Sequence, residues 1–169
     1  MGRGYMYEIE EQIHHIGAMD ESDFYEEIPA LHIDYVQNMS LENQELIRDS
    51  FSFTLQSHGA SVKSVTPDAS DKDLFPHGVY AISNLSEAFK RNFFAERFNT
   101  MKKLAAEITL DQFASNASND IARYLLEKAI TDEYGDMVYY QGTYYTVDYF
   151  IRNADPTKTY YLGNVVFLH

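Results

Sequence analysis

Residues 137–145 read MVYYQGTYY, and this stretch decides most of the fold prediction. The first half contains valine and two tyrosines and the second half contains threonine and two tyrosines, and all three residue types favour strands over helices. Gln141-Gly142 stands between them, and a glycine supplies the positive φ angle that a tight turn requires. We therefore predict a β-hairpin whose two aromatic strands flank this pair.

Two further strand regions and a short helix are predicted around the hairpin. Thr146 is a suitable N-cap for a short helix that ends near Asp155-Pro156. Residues 159–168, TYYLGNVVFL, predict a last strand pair or a single bulged strand. Residues 4–9, GYMYEI, place apolar side chains at alternate positions, which is typical of a half-buried strand.

The middle of the sequence predicts helices separated by short strands. Ser40 is a suitable N-cap for a helix that ends at Gly59. Residues 60–65 and 78–82 predict short strands. A long helix is predicted to begin at Asn84, because a glutamate three residues later completes a capping-box pattern.

The long helix carries an apolar stripe that is typical of a core-facing side. The members of this stripe are Phe94, Phe98, Met101, Ala105 and Ile108. Thr109 begins a second capping pattern, and Ser118 is predicted to open a further helix. One or two helical turns are also predicted over residues 20–28, which begin with acids and stop before a proline.

Helices and strands follow one another without regular alternation, which is typical of the α+β class. We predict one α+β domain over residues 1–169, in which central helices pack with a small, mostly antiparallel sheet. A chain of 169 residues is long enough to bury a core without disulfides or metals. Residues 66–77 combine prolines with polar and acidic residues, so we predict a flexible loop there.

The chain is strongly acidic, with 13 basic and 26 acidic side chains and a net charge of −13. Such a field repels phosphate backbones and attracts cations, so we expect a basic protein surface as partner and no general nucleic-acid binding. Cysteine is absent, which excludes disulfides and thiolate metal sites and fits a cytoplasmic setting. We predict no cofactor, no export signal and no contact with a membrane.

Two groups of side chains form the predicted protein-binding surface. The first group is acidic and consists of Glu8, Glu10, Glu11, Asp20, Glu21, Asp23, Glu26 and Glu27. The second group is aromatic and consists of Tyr139, Tyr140, Tyr144 and Tyr145. Because adjacent residues of a strand point to opposite faces, some of these tyrosines are expected at an exposed edge, where tyrosine favours interfaces. The alternative is a sheet whose tyrosines lie at the rim of the core.

Two other functions are kept as alternatives. A metal-dependent hydrolase would draw on His14, His15, His32, Asp34, His58 and His77. The spacing of these residues matches no helical metal-binding motif such as HExxH. Nucleic-acid binding would use the helix 90–103, where basic residues alternate with phenylalanines. The negative field of the chain opposes that use, so we expect these basic residues to face water or the acidic half.

Five stretches of the sequence carry a resemblance to known proteins. They are residues 4–9 (GYMYEI), 94–98 (FAERF), 102–104 (KKL), 109–113 (TLDQF) and 160–166 (YYLGNVV). Together these stretches resemble small uncharacterised proteins carried on conjugative and phage-derived elements of Gram-positive bacteria. The resemblance implies a bacterial accessory gene, and it carries over no catalytic residue.

The function that the sequence favours is a non-enzymatic, acidic binding protein that recognises a basic surface on another protein. In the setting of a mobile element, this extends to an inhibitor that imitates nucleic acid, as antirestriction and anti-CRISPR proteins do. The sequence leaves the identity of the partner and the oligomeric state open.

Overall fold

The computed structural model describes residues 4–16, 36–65, 78–130 and 135–169. The strands in these ranges are β1 (Gly4–Glu10), β2 (Val36–Asn38), β3 (Ser61–Val65), β4 (Val79–Ser83), β5 (Met137–Tyr140), β6 (Thr143–Thr146) and β7 (Tyr160–Leu168). The helices are α1 (Leu41–Ser57), α2 (Glu87–Glu107), α3 (Leu110–Ala114), α4 (Asn116–Ile130) and α5 (Val147–Asn153), with one 3-10 turn at Ile13–His15. The predicted α+β class is confirmed. The helix predicted over residues 20–28 and the loop predicted over 66–77 lie outside the described residues.

The sheet is organised around β7 and β1, which pair antiparallel with each other. The strand order is β3-β4-β7-β1-β5-β6, and β2 pairs with the end of β7. The pairing of β1 with β5 is parallel, whereas the other described pairs are antiparallel. Opposite β1, the register runs from Tyr7↔Val165 to Ile9↔Leu162, so β7 contains one extra residue there. The prediction of a bulged strand is therefore confirmed.

Both faces of β1 are covered, so this strand is buried more completely than the alternation predicts. Tyr7 and Ile9 lie on the face that packs against the helices, together with Phe51 of α1 and Phe89 of α2. Met6 lies on the opposite face, in a smaller cluster. The other buried members of this cluster are Val36, Met137, Val166 and Leu168. Burial of apolar side chains on both faces is the main term that stabilises the sheet.

Gly163 lies in the bulge of β7, where a side chain has no room. A Cβ atom at this position would be 2.4 Å from Cγ2 of Ile16 and 3.1 Å from Oε1 of Glu8. Nη1 of the buried Arg48 donates hydrogen bonds to the carbonyls of Gly163 (3.3 Å) and Gly78 (3.1 Å). The bulge is therefore fixed by close packing and by a buried guanidinium, whose pKa is lowered by burial.

Replacement of Gly163 by alanine is expected to destabilise the protein by about 1–3 kcal/mol, because the new methyl group overpacks the bulge. Urea unfolding of the two proteins measures the difference. The Ile16→Ala variant supplies the control, since it removes the methyl group that clashes. On that background the cost of Gly163→Ala is expected to shrink, and an unchanged cost contradicts this account of the glycine.

Three of the predicted helix starts are confirmed, namely those at Ser40, Thr109 and Thr146.

The start of α2 is different, because its N-cap is Ser86, whose Oγ accepts a 3.2 Å hydrogen bond from the backbone N–H of Phe89. Asn84 has a positive φ of 59°, and its side chain donates to the carbonyl of Gly59. The predicted cap at Asn84 is therefore wrong. The helix predicted to open at Ser118 begins at Asn116.

The second half of α2 forms an arm with α3 and α4, and we call residues 96–130 the helical arm. α4 contacts both α2 and α3. Phe89 belongs to the buried core, and Phe94 packs against that core. Phe98 and Ala105 are exposed, so the core stripe predicted on this helix is wrong at these two residues. The periodicity identifies an apolar side of the helix, but it does not identify what covers that side.

Candidate functional site

The predicted hairpin is confirmed as β5 and β6. Its turn is Gln141-Gly142, and both residues have positive φ angles, 51° and 74°, as tight hairpin turns require. The tyrosines alternate between the two faces, as the sequence predicts. The rings of Tyr139 and Tyr144 lie 5.5 Å apart beside the smaller cluster, whereas those of Tyr140 and Tyr145 lie 6.5 Å apart on the helical side. All four tyrosines are half-buried.

The helical side of the hairpin forms a recess of about 190 Å³, which we call the tyrosine recess. Its walls are Tyr140, Tyr145, Tyr149, Phe150, Asn153, Ala154 and Tyr160. Tyr149 stacks on Tyr145 with the ring centroids 4.9 Å apart, and Phe150 meets Tyr160 at 5.1 Å. The face of an aromatic ring carries negative potential, so a recess with several aromatic walls attracts a cation.

A charged pair adjoins the tyrosine recess. The carboxylate of Glu11 accepts a hydrogen bond from the hydroxyl of Tyr140 and another, of 2.8 Å, from Nζ of Lys158. The bond from Lys158, and next the bond from Tyr140, hold the pKa of Glu11 below its ordinary value. Burial and the nearby Glu11 carboxylate raise the pKa of the Tyr140 hydroxyl. Glu11 therefore remains an anion and Tyr140 a neutral donor at neutral pH, and a lysine ammonium is already held beside the recess.

The other acidic residues of the predicted surface have different environments. Glu8 is buried because both faces of β1 are covered, so it gives no carboxylate to the surface and the prediction is wrong for this residue. Glu10 is half-buried, and burial raises its pKa. The remaining five lie outside the described residues; they are Asp20, Glu21, Asp23, Glu26 and Glu27. Of the predicted acidic group, Glu10 and Glu11 are therefore the two members that lie in the described ranges and are not buried.

A second cleft, of about 330 Å³, lies between α1, α2 and the start of α5. Asp136 accepts a 2.9 Å hydrogen bond from the backbone N–H of Tyr5 and a 3.1 Å hydrogen bond from the hydroxyl of the buried Tyr7. On another wall, Arg97 forms an ion pair with the buried carboxylate of Asp148. The sequence analysis missed both aspartates, because no motif links residues that come from distant parts of the chain. Asp136 therefore connects the residue before β5 to β1, and the Arg97–Asp148 pair connects α2 to α5.

The histidines that a hydrolase would need are not brought together in the part of the chain described. The rings of His14 and His15 are 4.5 Å apart, whereas His58 lies at the end of α1 against Phe93. Among the described residues, no group of three or more histidines and acids is placed to hold a metal ion. His32, Asp34 and His77 lie outside the described residues, so the convergence of all six stays untested.

The basic residues of helix 90–103 divide between the body and solvent. Nζ of Lys90 donates to the carbonyls of Arg152 (3.2 Å) and Ala154 (2.8 Å), and Arg97 pairs with Asp148. The remaining three, Arg91, Lys102 and Lys103, are exposed. Two of the five basic groups therefore bind α5 and the residue after it, not the acidic amino-terminal half, whereas the other three face water as predicted.

Among the described residues, none of the helices combines the length and the apolar composition that crossing a membrane requires. Comparisons with protein-family models, with curated proteins and with solved structures find no match to this chain. Its function therefore has to be inferred from its own geometry.

Proposed function

We propose that this chain is a non-enzymatic, cytoplasmic protein-binding module whose tyrosine recess receives a lysine or arginine side chain of a basic partner. The observation that carries this proposal is the recess itself, in which Tyr149 stacks on Tyr145 and further aromatic rings complete the walls. A cation over an aromatic face gains about 0.5–2 kcal/mol, depending on how completely it is desolvated.

The charge of the chain supports the same partner. A net charge of −13 attracts cationic surfaces over a distance of about a Debye length, and it speeds their encounter. Beside the recess, Glu11 already binds the ammonium group of Lys158 at 2.8 Å. An incoming lysine meets the aromatic walls of the recess, and Tyr140 connects these walls to the Glu11–Lys158 pair.

The resemblance to proteins of mobile elements suggests a narrower form of the proposal. A basic surface that normally contacts nucleic acid is a natural target for an acidic protein of such an element, which then acts as a nucleic-acid-mimicking inhibitor. Charge steers the encounter, and the recess adds a specific contact for one cationic side chain.

The Tyr149→Ala variant is expected to bind a short, labelled lysine-rich peptide about three- to thirtyfold more weakly, because it loses one aromatic wall of the recess. Fluorescence anisotropy at low and at physiological salt measures the affinity. Tyr149 is 52% exposed, so its removal leaves the core intact. The affinity of the wild-type protein is expected to fall as salt rises, because salt screens the attraction.

The matched control is Phe53→Ala, which removes an exposed aromatic ring, 73% against 52% for Tyr149, from α1 and outside both the recess and the helical arm. If the net charge alone attracts the peptide, the two variants bind it equally. That result contradicts the role of the recess. Binding that is indifferent to salt contradicts the electrostatic part of the proposal.

A further inference from the structure

The helical arm is a two-helix layer. Met101 and Leu104 of α2 and its C-cap Ile108 are half-buried at intervals of three and four residues, and Ala122, Leu126 and Ala129 of α4 show the same pattern. Because α2 and α4 contact each other, we assign these two sets to the two sides of one seam. Two helices pack against each other along one side only. An apolar side chain on any other side of either helix stays in contact with water unless a further element covers it.

The arm exposes such a face. Leu110 and Phe113 of α3 and Ile121 and Leu125 of α4 are exposed large apolar side chains. Ile121 and Leu125 line a groove of about 230 Å³ together with Leu104, Ile108 and Ala122, and the two polar residues of its lining are Glu107 and Gln112. A mostly apolar groove beside exposed apolar residues is typical of a surface that another helix covers.

The charge of the arm differs from that of the rest of the chain. Residues 96–130 contain five basic and five acidic side chains, so the arm is neutral and the whole net charge of −13 belongs to the other residues. The net charge of the residues outside the arm therefore repels a second copy of the chain, whereas the arm itself adds no net repulsion. The basic partner of the proposed function, in contrast, is attracted to the acidic residues outside the arm.

We propose that the arms of two copies pack through this groove, so that the four long helices form a bundle and the protein is a homodimer. The four exposed apolar residues and Tyr124 offer roughly 400 Å² of apolar surface per copy, taking usual side-chain areas. A standard interface buries about 800 Å² on each partner, of which a little over half is apolar, so the face has the size that a stable dimer needs. An isologous contact of this kind uses the same residues on both copies.

The dimer goes beyond the proposed function, because it uses a different surface. It places two acidic bodies at the ends of a neutral bundle, and a partner with two basic sites gains from binding both. The two surfaces also respond to salt in opposite ways. Salt weakens the capture of a basic peptide, whereas it strengthens the dimer by screening the repulsion between the two bodies.

Sedimentation velocity of the full chain over a range of concentrations tests the proposal. We expect a species of about 39 kDa, twice the chain mass of 19.5 kDa, that forms with rising concentration and more readily at higher salt. Ile121→Glu is expected to raise the dissociation constant of the dimer at least about a hundredfold, because the charge enters the apolar interface twice. Phe113→Asp at the arm's tip is expected to act in the same direction.

The matched control is Leu46→Glu, which makes the same kind of change at a residue of similar exposure on α1, 61% against 64% for Ile121. Circular dichroism confirms that each variant is folded, and the Phe113→Asp variant serves if Ile121→Glu does not fold. A wild-type chain that stays monomeric at all concentrations overturns the proposal, and so does a Leu46→Glu variant that dissociates as readily as Ile121→Glu. Neither result affects the peptide measurement on Tyr149→Ala.

Discussion

Replacement of Phe89 by alanine is expected to lower the free energy of unfolding by about 3–5 kcal/mol, the usual cost of removing a buried aromatic ring. Phe89 is 1% exposed and is the largest fully buried side chain of the described core. It joins α2 to the face of the sheet that packs against the helices, and its ring lies 5.8 Å from that of Phe93. The substitution leaves a cavity that rigid strands and helices on several sides do not close.

The matched control is Phe53→Ala on α1, because Phe53 is 73% exposed. Its removal is expected to change the free energy of unfolding by no more than about 0.5 kcal/mol. Urea unfolding of both variants, followed by circular dichroism, gives the two values. Equal losses for the two phenylalanines contradict the placement of α2 on the sheet.

The Asp136→Ala variant is expected to lose about 2–4 kcal/mol of stability, because two donors are left without their acceptor. These donors are the backbone N–H of Tyr5 and the hydroxyl of Tyr7, at 2.9 Å and 3.1 Å from the carboxylate. Tyr7 is buried and stacks on Phe51 at 4.2 Å, so the packed ring holds its hydroxyl at this position in the cleft. Burial and the adjacent carboxylate raise the pKa of this hydroxyl, which keeps it protonated as the donor.

Asp136→Asn is the conservative control, since an amide oxygen still accepts from the backbone and the amide nitrogen donates to the tyrosine oxygen. We expect it to lose less than half as much as Asp136→Ala. A double-mutant cycle with Tyr7→Phe then isolates the bond between the two side chains, and we expect a coupling of about 1 kcal/mol or more. Additive losses in that cycle contradict the role given to this contact.

The parts of the fold that the sequence predicts correctly are those that short segments determine. A capping hydroxyl, as at Ser40, acts on amides two or three residues away, and the turn at Gln141-Gly142 needs only its own two residues. The bulge of β7 is of the same kind, because a glycine interrupts an otherwise apolar strand. Such local signals are complete within a few residues.

The parts that the sequence does not predict depend on what lies opposite a segment. Phe98 stands at the correct helical interval for a core residue, yet it is 55% exposed, so no neighbouring element of the described chain buries it. Glu8 lies between apolar neighbours on β1, and its burial follows from the position of β1 between β5 and β7, where its carboxylate lies beside Gly163 of the bulge. Periodicity describes one element at a time, whereas burial is a property of two or more elements together.

The candidate site divides in the same way. The tyrosine alternation in the hairpin was predictable, because side chains of a strand point to opposite faces. The contribution of Tyr149 and Phe150 was not, because it depends on how α5 folds back over the hairpin. Asp136 and Asp148 were also missed, since their partners Tyr7 and Arg97 are distant in sequence.

The position of β7 in the sheet has a consequence for how the protein is made. Strand β7 pairs with β1, β2 and β4, and Leu168 of β7 lies opposite Gly4 of β1. While the ribosome is translating the preceding residues, those three strands have no neighbour on that side and their amides face solvent or other nascent chains. Pairing between strands so distant in sequence forms slowly, so the sheet is expected to be completed only after translation of β7.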